Sequence, residues 1–403
     1  MITGLRCAVC DASVDIAQPF TWACPNASPL DPYHLLQFVD DGVVEPVDEH
    51  TTEPIIRYRR RCAWWAFARA NGMSDGDTLD LASTVAAGFA TSPFGKHAAL
   101  SAALGIDVWA KDETHSVAGS HKARHLIGIM LHLRAAETLG LLTERPALAI
   151  SSCGNAALAA ATIASAQNWP IRVFVPTWMD AAFGEGLDRL GAEVHRCARL
   201  DDGALGDPAM AGFRAAVAEG AVPFSVQGPA NAWCLDTGRT IGWEMAEALP
   251  DSGLEAVYVQ IGGGALATCL GAGLGEDVPL MAVQAQGCAP FAAAMERADQ
   301  IEDPERHWAE VMVPWSGPAS LADGILDDET YDWIGVRRSV LTSQGRTVIA
   351  PEASIVAAAS LVEHTGPPTS PTGTAGLAGL MADLDAGFRP ERPVAIVLSG
   401  VAR

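Results

Sequence analysis

Lys122 lies in the segment GSHKARH, residues 119–125, where a predicted loop meets the start of an apolar helical run. Lysine is favoured near the end of a helix, because the helix dipole is negative there. In the first turn the positive end of the dipole lowers the pKa of the amine, which makes it a better nucleophile. The position therefore suits covalent chemistry, and an ordinary solvated lysine is the alternative.

Three glycines, Gly262 to Gly264, follow an apolar run and precede Ala265 and Leu266 in VQIGGGALATCLG. The backbone of such a turn can approach an anion closely, and the helix that follows offers free N–H groups. The segment fits a phosphate, although a tight turn that needs glycine for a positive φ explains it equally well. It lacks the lysine of a Walker loop and the GxGxxG spacing of dinucleotide-binding proteins.

The segment ISSCGNAALAAA, residues 150–161, has the same arrangement of strand, loop and helix. Ser152, Cys153 and Asn155 cluster at the predicted helix start, where side chains and backbone N–H groups could hold a carboxylate. Asn155 could also reach a polar substituent on a ring. Serine and asparagine are common at helix starts for local reasons, so capping is the better explanation when this loop stands alone.

From about residue 106 onwards, predicted strands alternate with predicted helices. Such a rhythm is typical of βαβ units around a parallel sheet. Each of the three segments follows a strand, and the carboxyl ends of parallel strands form the edge at which open α/β sheets bind ligands. Their shared edge favours a functional role for the lysine, the glycine run and the asparagine loop together.

A nucleophilic lysine, a phosphate cradle and a carboxylate loop at one edge fit pyridoxal 5'-phosphate (PLP) and an amino-acid substrate. PLP offers an aldehyde to the lysine, a phosphate to the glycines and an electron sink to the substrate. The last predicted strand, PVAIVLSG, delivers Ser399 at its end. A neutral hydroxyl at the pyridine nitrogen would leave that nitrogen largely unprotonated, which disfavours transamination and suits elimination at the β-carbon.

The order GSHKARH, SSCGNA, IGGGAL and a terminal LSG resembles the fold-type II PLP enzymes, the tryptophan synthase β superfamily. The resemblance covers roughly residues 90–403. KDE, GS-x-K-x-R, SLADGI and PTGTAGLAGL are similar to segments of the threonine synthase and threonine dehydratase branch. The resemblance implies an α/β fold with two open parallel-sheet lobes and with PLP in the cleft between them.

The resemblance also assigns a role to each candidate residue. Lys122 would be the catalytic Schiff-base lysine, Asn155 would contact the 3-hydroxyl of PLP, and Ser399 would face the pyridine nitrogen. The residues implied at the cofactor phosphate are Gly262, Gly263, Gly264, Ala265 and Leu266. Those implied at the substrate carboxylate are Ser152, Cys153 and Asn155.

Three positions depart from the family pattern. His121 precedes the lysine where an aromatic Phe is usual, Cys153 stands where Ser or Thr is usual, and Ser370 lies where many dehydratases carry an acidic residue. These departures leave the substrate open between threonine, phosphohomoserine and others. His121 and His125 are candidate secondary proton carriers, although polar residues at a helix start without a chemical role explain them at least as well.

The chain is predicted to have a small α/β lobe at 125–230 inserted into a large PLP-binding lobe formed by 31–124 and 231–403. Residues 1–30 resemble a degenerate form of the zinc-ribbon-like amino-terminal segment of some threonine synthases. Cys7, Cys10 and Cys24 carry this resemblance. Ala27 stands where a second CxxC would place a cysteine. Three thiolates are a poor structural zinc site unless another ligand joins, so no metal is expected.

The predicted function is that of a PLP-dependent lyase that removes the α-proton and a β-substituent of an amino acid, as threonine and serine dehydratases do. The GGGAL and LSG segments favour that interpretation. A β,γ-replacing threonine synthase or another β-replacing synthase is the alternative, favoured by the ribbon remnant and by WEMAEAL. A protein that binds PLP or an amino acid without turnover is an alternative of another class. A nucleotide-binding oxidoreductase is disfavoured, because GxGxxG is missing.

The composition limits the partners. A formal net charge of −22 disfavours nucleic acid and anionic membranes, which bind through an excess of Lys and Arg. The sequence shows no long apolar run free of charge and no leader pattern, so a cytoplasmic protein without membrane spans is expected. The expected partners are an amino-acid substrate and, from the resemblance, a second copy in a homodimer.

Overall fold

The computed structural model describes residues 1–179, 181–198 and 207–402, which form thirteen strands in three sheets. The strands are β1 (Ile2–Cys7), β2 (Ser13–Asp15), β3 (Leu36–Asp40), β4 (Phe94–Lys96), β5 (Val108–Asp112), β6 (Leu148–Ser151), β7 (Ile171–Pro176), β8 (Glu193–Cys197), β9 (Val222–Pro223), β10 (Ala256–Gln260), β11 (Leu280–Ala285), β12 (Arg346–Ala350) and β13 (Val394–Leu398).

The described residues also form fifteen α-helices, most of which connect parallel strands. They are α1 (Pro54–Arg57), α2 (Ala63–Ala70), α3 (Asp75–Val85), α4 (Ala98–Leu104), α5 (Lys122–Thr138), α6 (Asn155–Ala166), α7 (Ala181–Arg189), α8 (Pro208–Ala218), α9 (Thr240–Glu247), α10 (Ala265–Leu274), α11 (Pro290–Ala298), α12 (Trp308–Val311), α13 (Trp333–Thr342), α14 (Glu352–Thr365) and α15 (Ala375–Asp385).

The largest sheet has six strands in the order β12-β11-β10-β13-β5-β4. All its pairs are parallel except the pair of β4 with β5, which is antiparallel. Every residue of β10 and β13 is buried, as expected for strands covered by helices on both faces. Because β13 lies between β10 and β5, the loops that follow these three strands meet at one edge of the sheet.

A second, fully parallel sheet has the order β8-β7-β6-β9 and carries the loop that precedes α6. The two sheets, one mostly and one fully parallel, bear out the α/β class with two open-sheet lobes that the sequence predicted. This sheet falls within residues 125–230, and those lobe boundaries stay a prediction.

The amino-terminal residues form a third sheet, antiparallel, in the order β2-β1-β3. It extends to Asp40, so the segment 36–40, which the sequence pattern had placed in the large lobe, pairs with β1. Among the described residues, none of the helices is both long and apolar enough to cross a bilayer.

Candidate active site

Lys122 is the first residue of α5, and backbone pairing fixes it beside the end of β13. The N–H of His121 donates to the carbonyl of Ser399 at 3.0 Å, and the N–H of Val401 donates to the carbonyl of Gly119 at 2.9 Å. Residues 119–121 thus run antiparallel to 399–401. Two candidates that lie 277 residues apart in the chain (399 − 122) are brought together by this ladder.

The chain contains only three lysines, and their surroundings differ. Lys96 is exposed and pairs with Asp107, and Lys111 is fully buried and pairs with Glu244. Within the part of the chain that the structure describes, Lys122 is the one lysine without an ion pair. Its amine is therefore the lysine amine that is least committed to a structural contact.

Burial lowers the pKa of the half-buried Lys122, and the carboxylates of Asp327 and Asp332 oppose that shift. A lowered pKa increases the fraction of neutral amine at a given pH. Only the neutral amine can attack an aldehyde or accept a proton. The sequence predicted a lowered pKa from the position at the helix start, and in the structure burial is the cause of the lowering.

Ser399 is buried directly after β13, and its hydroxyl contacts Gln260 at the end of β10. The Gln260 side-chain nitrogen Nε2 lies 3.2, 3.1 and 3.3 Å from the carbonyl oxygens of Thr372, Gly373 and Val397. Carbonyl oxygens only accept hydrogen bonds, so the NH2 group of the Gln260 amide, and not its oxygen, must face them. Nε2 therefore donates to Ser399 Oγ at 2.7 Å, which leaves the serine proton free to be donated elsewhere.

The glycine turn between β10 and α10 packs against residues 325–332. A Cβ atom at Gly262 would lie 2.6 Å from Asp327 Oδ2 and 2.9 Å from Ile325 Cα, so any side chain there would collide. Gly264 has φ +98°, a conformation that favours glycine. The turn leads into the ten-residue helix α10, whose N-terminal N–H groups can receive an anion.

Two acidic side chains line this turn. Burial raises the pKa of Asp327 to about 6, partly offset by Lys122 and by the backbone N–H of Gly263. Burial likewise raises the pKa of Asp332 to about 7, partly offset by the N–H of Gly228. A phosphate beside them would raise both values further, because like charges disfavour ionisation. These carboxyl groups follow SLADGI in the sequence and were not recognised as site residues from it.

Asn155 is the first residue of α6, and its side chain reaches the segment that follows Ser399. Its Nδ2 would lie 3.0 Å from a Cβ atom built on Gly400. This loop of the second sheet therefore meets the edge of the first. Ser152 Oγ accepts a hydrogen bond from the Gly154 N–H at 3.3 Å, and Cys153 is exposed.

His121, directly before α5, and His125, on its first turn, form a buried pair. Nδ1 of His125 lies 2.9 Å from the carbonyl of Cys234, which can only accept, so this nitrogen carries the proton. His125 Nε2 then accepts from His121 Nδ1 at 3.2 Å. The fit is tight, since a Cβ atom at Gly238 would lie 2.5 Å from His125 Nδ1.

Both rings of this pair are neutral. Burial, and then the charge of Lys122, hold the pKa of His121 well below its usual range and lower the pKa of His125 to about 4. A second proton on either ring, which would make it positively charged, is therefore costly near neutral pH. The geometry of the histidine pair suits a role in orienting the helical turn that carries Lys122. It suits proton transfer, the role for which these residues were candidates, less well.

A buried set of four charged side chains, which we call the ion quartet, anchors α5 to the sheet. It consists of Lys111, Glu113, Arg124 and Glu244, which are 0%, 0%, 1% and 5% exposed. Arg124 binds Glu113 at 3.0 Å and also binds Glu244, which in turn binds Lys111. The quartet joins β5, α5 and α9, with Lys111 and Glu113 from the KDE segment and Arg124 from GS-x-K-x-R.

The pyridoxal-phosphate dependent enzyme family model matches residues 85–400. The chain belongs to this family. No curated protein matches this chain. The family requires PLP, so the cofactor predicted from the sequence is confirmed.

Solved structures show the same fold at low sequence identity. Maize serine racemase is 19% identical, with a TM-score of 0.65 over 82% of this chain and 95% of the racemase. The processed form of threonine deaminase isoform 2 from Solanum lycopersicum is 18% identical, with a TM-score of 0.62 over 82% and 86%. A fungal L-serine ammonia-lyase from Rhizomucor miehei is 19% identical, with a TM-score of 0.60 over 77% and 94%. This pyridoxal-phosphate dependent enzyme therefore has the fold-type II architecture.

The residues of this edge fit the cofactor. Ser399 has a hydroxyl proton to donate to an unprotonated ring nitrogen, and Lys122 has an amine without an ion pair among the described residues. The turn at 262–266 can take the phosphate on its backbone. When bound, PLP supplies an electron sink for negative charge at the substrate α-carbon.

Proposed function

We propose that this pyridoxal-phosphate dependent enzyme is an ammonia-lyase, which removes the α-proton and a β-substituent from a small amino acid. The observation that carries the proposal is the fixed orientation of Ser399 by Gln260. A neutral donor at the ring nitrogen leaves the electron sink weak. A weak sink favours reactions in which a leaving group on the β-carbon takes the electrons.

In this proposal Lys122 has two roles at Nζ. It holds the cofactor covalently until the substrate amine displaces it, and it then accepts the α-proton as the general base. The lowered pKa of the amine supports the second role, since it raises the neutral fraction. The neutral pair of His121 and His125 keeps the turn that carries Lys122 in place.

The other site residues bind and orient. We assign the cofactor phosphate to the backbone of 262–266 and the 3-hydroxyl of the cofactor to Asn155. The substrate carboxylate is assigned to Ser152, Cys153 and Asn155. The exposed position of Cys153 supports contact with a ligand that enters from solvent.

A β,γ-replacing synthase similar to threonine synthase, or another β-replacing synthase, is the second candidate. The three-stranded amino-terminal sheet favours it, because the resemblance of that region was to threonine synthases. A non-catalytic PLP protein is the third, and the amine of Lys122, which has no ion pair among the described residues, argues against it. We further propose, from the resemblance, that the enzyme is a homodimer in the cytoplasm.

The test is an absorption spectrum of the purified enzyme and of Lys122→Ala. A band at about 415 nm that is absent from the variant is expected. Lys96→Ala is the matched control and should keep the band, because Lys96 is exposed. Reduction with borohydride followed by peptide mapping should place the phosphopyridoxyl group on Lys122. A wild type that stays colourless after incubation with PLP would refute the enzyme proposal.

Substrate choice is tested by adding L-threonine, L-serine and O-phospho-L-homoserine in turn. The lyase proposal expects release of ammonia and a keto acid from L-threonine or L-serine. Release of phosphate from O-phospho-L-homoserine without a keto acid would overturn the lyase assignment in favour of the synthase. Racemisation without ammonia release would overturn both.

A further inference from the structure

Four side chains of the amino-terminal segment converge on one point. They are Cys7, Cys10, Cys24 and His34, and their possible ligand atoms all lie within 4.8 Å of one another. Cys7, Cys24 and His34 are buried, and Cys10 is half-buried. The sequence indicated only the three cysteines, because a second CxxC would have needed a cysteine at Ala27. The histidine comes instead from the segment just before β3.

The distances fit a tetrahedral metal ion. With zinc–sulfur bonds of about 2.3 Å and zinc–nitrogen bonds of about 2.0 Å, tetrahedral geometry places two sulfurs about 3.8 Å apart and a sulfur about 3.5 Å from a nitrogen. Cys10 Sγ lies 3.6 Å from Cys24 Sγ, and Cys7 Sγ lies 3.4 Å from His34 Nδ1. A disulfide between Cys10 and Cys24 would need about 2.05 Å.

The surroundings of the cluster orient its ligands. His34 Nε2 lies 3.3 Å from Asp31 Oδ2, so one ring nitrogen faces the thiols and the other faces a carboxylate. That arrangement is typical of zinc-binding histidines, whose second nitrogen is held by an acceptor. Asn26 Nδ2 lies 3.3 Å from Cys10 Sγ, where it can donate to a thiolate. The turn that carries Cys7 and Cys10 is closed by a hydrogen bond from the Cys7 N–H to the carbonyl of Ala12 at 2.8 Å.

We propose that Cys7, Cys10, Cys24 and His34 bind one Zn²⁺ ion in a closed, four-coordinate site. Thiolate and imidazole ligands in tetrahedral geometry favour zinc over the hard cations Mg²⁺ and Ca²⁺. Four protein ligands leave no open position, so the role is structural and not catalytic. The site is separate from the PLP site, and its existence does not depend on the proposed lyase activity.

The zinc site secures the loop that docks on the helix of Lys122. Just before Cys24, the carbonyl of Thr21 accepts from Trp233 Nε1 at 2.8 Å, and the carbonyl of Trp22 accepts from the Ala232 N–H at 2.8 Å. Trp22 also packs edge-on against His132 of α5, with ring centres 5.4 Å apart. Without the metal ion, the amino-terminal segment would lose the ligand bonds that hold this loop.

The first experiment measures metal content in the full-length enzyme purified under reducing conditions without chelator. About one zinc per chain is expected for the wild type and for Cys197→Ser, whose thiol lies outside the cluster. Cys24→Ser and His34→Ala should lose most of the metal, and His34→Cys should retain it by completing a four-cysteine site. Asp31→Ala should lower zinc affinity about 10- to 100-fold.

A second measurement uses only the wild type, in case the variants do not fold. Co²⁺ replaces zinc, and intense visible bands with sulfur-to-cobalt charge transfer are expected for a tetrahedral thiolate site. Wild type that holds no zinc and develops no such bands in reducing buffer would overturn the proposal. Full metal content in both Cys24→Ser and His34→Ala would also overturn it, because the metal would then lie elsewhere.

Discussion

Replacing Arg124 with methionine tests whether the ion quartet holds α5, the helix that begins at Lys122, in place. The quartet has two positive and two negative side chains, all nearly inaccessible to solvent. Without Arg124, Glu113 and Glu244 share Lys111 as their one remaining quartet cation. Removing one partner of a buried ion pair costs about 3–5 kcal/mol, because the other charge stays buried and uncompensated. We expect a loss of that order in the free energy of unfolding.

Arg134→Met is the matched control on the same helix. Arg134 pairs with Glu137 at 3.0 Å, but the two side chains are 23% and 29% exposed. Partly solvated pairs of this kind contribute about 0.2–1 kcal/mol. Denaturant unfolding of the PLP-loaded enzyme, followed by tryptophan fluorescence, measures both variants. If Arg124→Met costs no more than Arg134→Met, the quartet does not stabilise the fold and the reasoning is refuted.

Three further outcomes are expected. Gln260→Met should lower turnover about fivefold, because it removes one neutral hydrogen bond from Ser399, and it should lower it no more than Ser399→Ala does. Gly263→Val should weaken PLP binding, because a Cβ atom there would lie 3.0 Å from Tyr331. Cofactor titration measures the affinity, and an unchanged value would contradict the assignment of the phosphate to the turn at 262–266. Burial lowers the pKa of His132 to about 3, so its folded form binds a proton less readily than the unfolded chain. Stability should therefore fall as the pH drops from about 6.5 towards 3, and less so in His132→Phe.

The sequence was sufficient to predict the residues that follow strands. Lys122, the turn at 262–266 and Ser399 were predicted as site candidates because alternating strands and helices place them at one edge of a parallel sheet. The order of strands was not predictable from the pattern. The adjacency of β10, β13 and β5, which brings the three together, arises from pairings between distant segments.

The residues that the sequence missed all act through distant partners. Gln260 was visible only as a polar residue ending the buried run AVYVQ, and its contact with Ser399 spans 139 positions. His34 lies in no recognisable ligand spacing and joins the cysteines because β3 pairs with β1. Asp327 was one acid in an acidic run, and only the fold shows that it lies against Gly262.

The docking of the Thr21–Trp22 segment on Ala232 and Trp233 has a consequence for biosynthesis. These partners lie about 210 residues apart, and chains grow at about 5–20 residues per second. The amino-terminal sheet therefore leaves the ribosome roughly 10–40 s before its docking surface exists. During that interval the amino-terminal segment and its aromatic side chains cannot yet make their native contacts with Ala232 and Trp233. Damage to this sheet should first be visible as a lower yield of soluble protein from cells, before any change in turnover per folded molecule.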